Sequence, residues 1–290
     1  MNKKLRSSSL LAAIATILFL SSTIGYCASF YYHNKFISYN DIGEGKPLVL
    51  IHAFPTDKRL WSLQEKGLVK KFRIISLDLW GFGESSSVDG STISMIHYAD
   101  EIHQLLDYLH IEKAIIGGES MGGYIALAFL EKYPSQVEGL VLSNTQANDD
   151  DLDTKASREK LATEIIEKGS DEYVKKFLTK ALSPKATEST KAYLSHILVS
   201  QKPVALASAL RGMAIRNKMF HALANTNIPI LIITSDQDMI ISSQRSEEMH
   251  AVAKNSQLIT ISNAGHLSNL EQPEQWNNAV ISAFQNNLTS

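Results

Sequence analysis

The sequence predicts an α/β fold with a mainly parallel sheet. Strand-like and helix-like segments alternate from Phe30 onward, the strand-like runs are almost continuously apolar, and one of them ends in a glycine-rich turn that leads straight into a helix. The 290 residues, 44% of them hydrophobic, are enough for one large core plus an insertion. A formal charge of -2 offers no basic field to hold nucleic acid. The chain has no phosphate loop, no H-E-x-x-H and no Cys/His cluster at zinc spacing, so neither a metal nor a cofactor is expected. Asp149, Asp150, Asp151 and Asp153 lack the glycine and terminal glutamate of a calcium loop and read as a solvated linker.

Residues 1–29 differ from the rest of the chain. Lys3, Lys4 and Arg6 make a basic start, residues 10–20 are an apolar run, and Ser21, Ser22 and Thr23 come after it, which is the pattern of a secretory signal. A secreted or periplasmic protein is therefore expected. Cleavage after Ser29 places Cys27 and Ser29 at the two small-residue positions, and Gly25 offers another boundary. Cys27 also suggests a lipid anchor, although Tyr26 stands where a small residue is expected. An uncleaved spanning anchor needs about 20 apolar residues, more than this run supplies. The membrane thus enters only through the signal or such an anchor. Cys27 is the only cysteine, so the mature domain must be stable by packing alone.

The first part of the core is expected over residues 30–147. Residues 30–42 alternate loosely and suggest an opening antiparallel hairpin, and residues 47–51 and 72–77 are apolar runs suited to strands covered on both faces. Residues 91–109 carry apolar side chains at helical spacing, with Ser91 or Thr92 as N-cap. Residues 113–116 read as a short buried strand, residues 123–130 as a packed helix and residues 137–142 as a further strand. Residues 148–227 break the alternation: helices are expected at 154–168, 171–182, 189–201 and 203–216, with Pro203 in a first turn. This stretch is read as an inserted helical cap that would wall off a pocket and keep water from it. The second part of the core, residues 228–290, opens on a strand at 228–234.

Between the strand at 113–116 and the helix at 123–130 lies Gly118-Glu119-Ser120-Met121-Gly122, the pattern of a nucleophile elbow. Its turn is so sharp that the serine takes strained backbone angles and its neighbours must be small, a need that Gly118, Gly122 and Gly123 meet. A serine hydroxyl is a poor nucleophile until a base takes its proton, and the base needs a carboxylate to fix its tautomer. In the order nucleophile, acid, base, the base is His266, which comes after the strand-like residues 257–261 and the turn Asn263-Ala264-Gly265. His250 falls inside a helical run. The acid lies just past residues 230–234, where Asp236 and Asp238 both stand and spacing alone does not choose between them. The oxyanion of an attacked ester should meet the backbone N–H groups of Met121 and Phe54, since Pro55 has none. His52 reads as a residue that braces this loop. Trp80, Trp61 and Met213 are candidates for the lining of an acyl pocket.

From residue 36 to residue 284 the chain resembles the α/β-hydrolase superfamily. His52-Ala53-Phe54-Pro55 is similar to its His-Gly-x-Pro oxyanion loop, Asp78-Leu79-Trp80-Gly81-Phe82-Gly83-Glu84-Ser85 to its Asp-x-x-Gly-x-Gly-x-Ser loop, and Gly118 to Gly122 to its elbow. Gly265-His266 followed by Glu271-Gln272-Pro273 is similar to the catalytic histidine segment. The family's Gly-x-x-Asp pattern aligns with Ser235-Asp236-Gln237-Asp238, so the resemblance implies Asp238 as the acid. Ala53 and Ser235 each replace a usual glycine. The resemblance implies the α/β-hydrolase fold, a mostly parallel central sheet flanked by helices with an inserted helical cap. Within the superfamily the elbow and cap are most similar to small esterases, enol-lactonases and cofactor-free haloperoxidases, whereas dehalogenase relatives place Asp at the position of Ser120.

The expected activity is hydrolysis of a small-molecule carboxylic ester or lactone by a Ser120–His266–Asp238 triad through an acyl-enzyme. Perhydrolysis of haloperoxidase type, suggested by Pro55 beside the oxyanion loop, and ligand binding without turnover are the alternatives.

Overall fold

The structure, a computed structural model, describes residues 26–285. It opens on an antiparallel hairpin, β1 (Tyr26–Tyr32) and β2 (Lys35–Ile42), turning at His33 and Asn34. Both turn residues have positive φ, 49° and 60°, the two-residue geometry whose twist matches that of the flanking strands. The hairpin thus begins four residues earlier than expected. A boundary after Ser29 would remove the β1 residues paired with β2 from Tyr26↔Asp41 to Ser29↔Ser38, whereas one after Gly25 leaves β1 whole. The basic start and apolar run lie outside the described residues.

The remaining strands are β3 (Lys46–Ile51), β4 (Phe72–Leu77), β5 (Ala114–Glu119), β6 (Val137–Ser143), β7 (Ile230–Ser235) and β8 (Ser256–Ile261). They form one sheet in the order β1-β2-β4-β3-β5-β6-β7-β8, in which β1 pairs antiparallel with β2, β2 antiparallel with β4, and all later pairs are parallel. β5 continues three residues past the expected strand. Gly117 is squeezed between Leu50 and Val141, and Ser120 N–H still donates to Ser143 O at 2.8 Å. β7 starts after Pro229, whose missing N–H cannot join a ladder.

Helices α1 (Ser62–Leu68), α2 (Met95–Tyr108) and α3 (Met121–Lys132) follow β3, β4 and β5. Between β6 and β7 run α4 (Leu152–Lys168), α5 (Asp171–Ala181), α6 (Glu188–Val199), α7 (Pro203–Ala214) and α8 (Phe220–Ala224). α9 (Ser243–Val252), α10 (Ser268–Glu271) and α11 (Pro273–Gln285) complete the chain. α2 begins after Ser94, which accepts from His97 N–H at 3.2 Å; Ser91, one of the two expected caps, instead donates its hydroxyl proton to Asp89. α4 and α6 are capped by Asp151 and Thr187, whose side chains accept from Thr154 N–H and Thr190 N–H.

Strand side chains alternate between two cores. Val49, Ile51, Ile116 and Leu142 pack with Tyr98, Ile102, Ile125 and Phe129 of α2 and α3, while Leu48, Leu50, Ile115 and Val141 pack with Trp61, Trp276 and Val280 on the opposite face. Each fully buried aliphatic contributes about 1.5–3 kcal/mol. Trp61 belongs here, 5.3 Å from Trp276 between ring centroids, and not to a ligand pocket.

The close approach of α3 to β3 depends on Gly122, where a Cβ would lie 2.2 Å from the Ile51 carbonyl oxygen. Gly122→Ala is expected to destabilise the fold by about 1–3 kcal/mol, read as a lower urea midpoint. An unchanged midpoint would show that this contact yields more easily than the backbone geometry implies.

Candidate active site

β5 delivers Ser120 at its carboxyl end. Ser120 has φ 54° and ψ -113°, a backbone conformation costly for a residue with a side chain, and three contacts hold it there. Its carbonyl accepts from Gly123 N–H, Tyr124 N–H and the Thr145 hydroxyl, the last at 2.7 Å. A Cβ on Gly118 would lie 2.1 Å from the Gly122 backbone, so the elbow closes only with glycine at that position. α3 starts at the next residue, Met121, whose N–H belongs to the first helical turn and has no intrahelical acceptor.

His266 follows β8 on a loop tied down at both ends. Gly265 N–H donates to Glu271 at 2.7 Å, Leu267 N–H to Ala181 O at 3.1 Å, and Gln237 N–H to Ala264 O at 3.0 Å. Glu271 also receives the N–H and hydroxyl of Ser183, so one carboxylate fastens the loop to the end of α5. The imidazole Nε2 lies 2.8 Å from Ser120 Oγ and Nδ1 lies 2.8 Å from Asp238 Oδ2, all three side chains being buried. Asp238 is therefore the carboxylate that reaches His266. Asp236, the alternative left open by spacing, accepts from Asn263 N–H and Ala264 N–H and so shapes the loop before His266.

Asp238 is surrounded by donors. Burial alone would raise its pKa, but His266 and the N–H groups of Ile241 and Ile240, at 2.9 and 2.7 Å, hold it below the usual carboxylate range. Asn144 Nδ2 adds a contact of 3.0 Å to Oδ2, while Asn144 Oδ1 accepts from Ser268 at 2.9 Å. Asn144 sits at φ 45° immediately after β6. Sequence reasoning missed it; the signal was a polar pair, Ser143-Asn144, closing an apolar strand.

Glu119, immediately before Ser120, is fully buried, and among the described residues neither of its carboxyl oxygens finds a hydrogen bond of good geometry. Burial pushes its pKa well up, against a weaker downward pull from Ser143, and the charge of Asp238 adds a smaller upward push. The unfolded chain ionises this group near pH ~4.3, so between that pH and the raised folded value the native state binds the extra proton and stability falls as pH rises. Glu119→Gln is expected to raise the melting temperature by about 2 °C or more at pH 8, with the gain shrinking toward pH 4.5. A gain independent of pH would contradict a neutral Glu119.

Phe54, Ser120 and His266 line one cavity of about 590 Å³, shared with Tyr124, Met213 of α7, and Tyr173 and Phe177 of α5. Met213 thus lines the cavity onto which Ser120 opens. Trp80 does not: the loop after β4 is tied to β2 through Ser86 N–H and Phe36 O, and the Trp80 ring stacks 5.9 Å from Tyr32 with Lys35 Nζ 4.7 Å over its face. His52 is a brace. Its Nδ1 contacts Ala53 O at 3.0 Å, its Nε2 accepts from Leu79 N–H at 3.2 Å, and burial lowers its pKa. Among the described residues no cluster of three metal-ligating side chains occurs and no helix is long and apolar enough to cross a membrane.

The chain belongs to the α/β-hydrolase fold family, whose model matches residues 46–273. It is 28% identical over 271 residues to the AB hydrolase superfamily protein YisY of Bacillus subtilis, covering 85% of this chain and 94% of the relative. To 3-oxoadipate enol-lactonase 1 of Acinetobacter baylyi it is 27% identical over 232 residues, covering 79% and 85%. A solved esterase from Thermogutta terrifontis superposes with a TM-score of 0.85 at 30% identity, covering 87% of this chain and 94% of that one.

Proposed function

We propose that this α/β hydrolase cleaves a carboxylic ester or lactone through an acyl-enzyme formed on Ser120. The observation that carries the reading is the relay from Ser120 Oγ through His266 to Asp238, two contacts of 2.8 Å opening on one cavity. The esterase and enol-lactonase among its relatives support the same chemistry.

Ser120 Oγ attacks the substrate carbonyl carbon while its proton passes to His266 Nε2. The charge on the carbonyl oxygen is received by the N–H groups of Met121 and Phe54, and that on the imidazolium is balanced by Asp238. As the tetrahedral intermediate collapses, the C–O bond to the alcohol breaks and His266 returns the proton to the leaving oxygen. Water then attacks the acyl-enzyme, His266 takes its proton, and Ser120 is regenerated as the carboxylate product leaves. Tyr173, Phe177 and Met213, contributed by the helices between β6 and β7, act as the cap that limits water around these steps.

Purified protein is expected to hydrolyse p-nitrophenyl esters of graded acyl length and to take up one fluorophosphonate label, both abolished by Ser120→Ala. Neither turnover nor label in the folded protein would overturn the reading. Export to the periplasm or beyond belongs to the same proposal, with the boundary after Gly25 because it preserves β1. Intact mass of the protein recovered from outside the cytoplasm should then begin at Tyr26, and retention inside the cell with Met1 in place would contradict it.

A further inference from the structure

The cavity holding Ser120 has a wall whose charges do not cancel. Asp150, buried at the start of the segment between β6 and β7, carries one negative charge shared by two guanidinium groups, with Arg158 Nε at 2.5 Å and Arg216 Nη2 at 2.7 Å. Arg216 is spent on the wall itself: its side chain is 3% exposed, Nε and Nη1 donate to the carbonyls of Asn148 and Met213, and its plane lies over the Tyr124 ring. Arg158 keeps 20% of its side chain exposed and lines the cavity; its Nη2 also reaches Asp150 Oδ1 at 3.5 Å, whereas its Nη1 meets only Met213 Sδ at 3.6 Å among the described residues, a weak acceptor. Two guanidinium groups thus share one carboxylate, and the one that lines the cavity has an N–H group with no strong acceptor among the described residues.

α5 adds to this wall. Tyr173, Lys176, Phe177 and Lys180 all line the cavity at the i, i+3, i+4, i+7 spacing of one helix face. The Tyr173 hydroxyl has no hydrogen-bond partner among the described residues, and burial keeps it protonated, against a weaker opposing pull from the nearby charge of Arg158. The competing charges are mostly committed elsewhere. Asp151 caps α4 through Thr154 N–H at 2.8 Å, Arg245 pairs with Glu248 at 3.0 Å, and Lys176 approaches Glu172 at 3.5 Å, while Asp149 also lines the cavity.

We propose that Arg158, with the Tyr173 hydroxyl and Lys180, forms an anion subsite, so that the ester or lactone cleaved at Ser120 carries a carboxylate remote from its scissile carbonyl. The proposal rests on the reading of Ser120 as the nucleophile and adds the class of substrate to it. A guanidinium meets a carboxylate with charge-assisted, directional N–H donors, and its partly desolvated setting strengthens the contact. The aromatic rings of Tyr173 and Phe177 would flank the apolar spacer between the two ends of such a molecule.

The test compares p-nitrophenyl hydrogen glutarate, an anionic ester, with p-nitrophenyl valerate, its neutral counterpart. The wild-type protein is expected to favour the anion in kcat/KM. Arg158→Gln should lower the ratio of anionic to neutral kcat/KM about tenfold or more, Arg158→Lys should restore part of it, and Tyr173→Phe should lower it less than Arg158→Gln. Asp150 keeps Arg216 in these variants, so melting temperatures near wild type are expected and would separate lost recognition from lost folding. A ratio unchanged within twofold in Arg158→Gln, or a wild-type preference for valerate, would overturn the subsite. Binding of monomethyl glutarate to Ser120→Ala, followed by calorimetry, reads the subsite without turnover and should weaken about tenfold on adding Arg158→Gln. Binding of that kind in a protein that hydrolyses neither ester would count against the nucleophile and for the subsite; hydrolysis of both esters with no Arg158 dependence would do the reverse.

Discussion

Asp238→Asn is expected to lower kcat for a p-nitrophenyl ester by about 10⁴-fold with the fold intact, and Asp236→Asn to leave kcat within about threefold of wild type. Among the described residues the Asp238 carboxylate makes four hydrogen-bond contacts, all to donors: His266 Nδ1 and Asn144 Nδ2 on Oδ2, and the N–H groups of Ile240 and Ile241 on Oδ1. An amide has one acceptor oxygen. With that oxygen toward Ile240 and Ile241, its NH2 group meets His266 Nδ1, which must then give up its proton and leave Nε2 protonated and unable to accept from Ser120. With the amide turned the other way, two backbone N–H groups face an NH2 group, and the segment that aims residue 238 is disturbed. Among the described residues the Asp236 side chain bonds only to the backbone of Asn263 and Ala264, so its loss disturbs a loop without touching the imidazole. Stopped assays beside thermal unfolding of both variants decide the matter. A large loss in Asp236→Asn with near-normal turnover in Asp238→Asn would reassign the acid.

That choice also shows how far the chain is legible before folding. The elbow could be read because its chemistry is local: a serine with positive φ, flanked by residues with no room for Cβ, leaves a signature of glycines within five positions. The order of nucleophile, acid and base narrowed the histidine to a strand end. Asp236 and Asp238 look alike in sequence because both follow β7, and only the path of the loop after β8 separates them. Ser91 and Ser94 pose the same problem at the start of α2, where Asp89 draws away one hydroxyl. α8 has five residues, too few for a helical period to show. Trp80 was misplaced for a third reason: a large aromatic beside a conspicuous loop motif suggests a pocket, but the loop is fastened toward β2 by backbone hydrogen bonds that no side-chain pattern reveals. Asn144 and Glu271 each reach a partner 88 or more positions away, and Arg158 acts through a charge balance among three side chains; such information exists only in the folded chain.

Ser120→Ala and His266→Ala are each expected to cut kcat by about 10⁶-fold, and the double variant to lose no more than either single one. The reason lies in the geometry. Among the described residues His266 Nε2 has one contact, Ser120 Oγ at 2.8 Å, so in the proposed relay deleting either member leaves the other with nothing to exchange a proton with. The residual rate in all three variants should then be the same, sustained by substrate binding and by the N–H groups of Phe54 and Met121, which survive every one of these substitutions. Turnover of a fluorogenic ester, with unreacted fluorophosphonate sites used to exclude wild-type carry-over, measures this residual. Losses that multiply in the double variant would mean that the two residues contribute independently, and a relay in which one proton passes between them would then be the wrong description of the site.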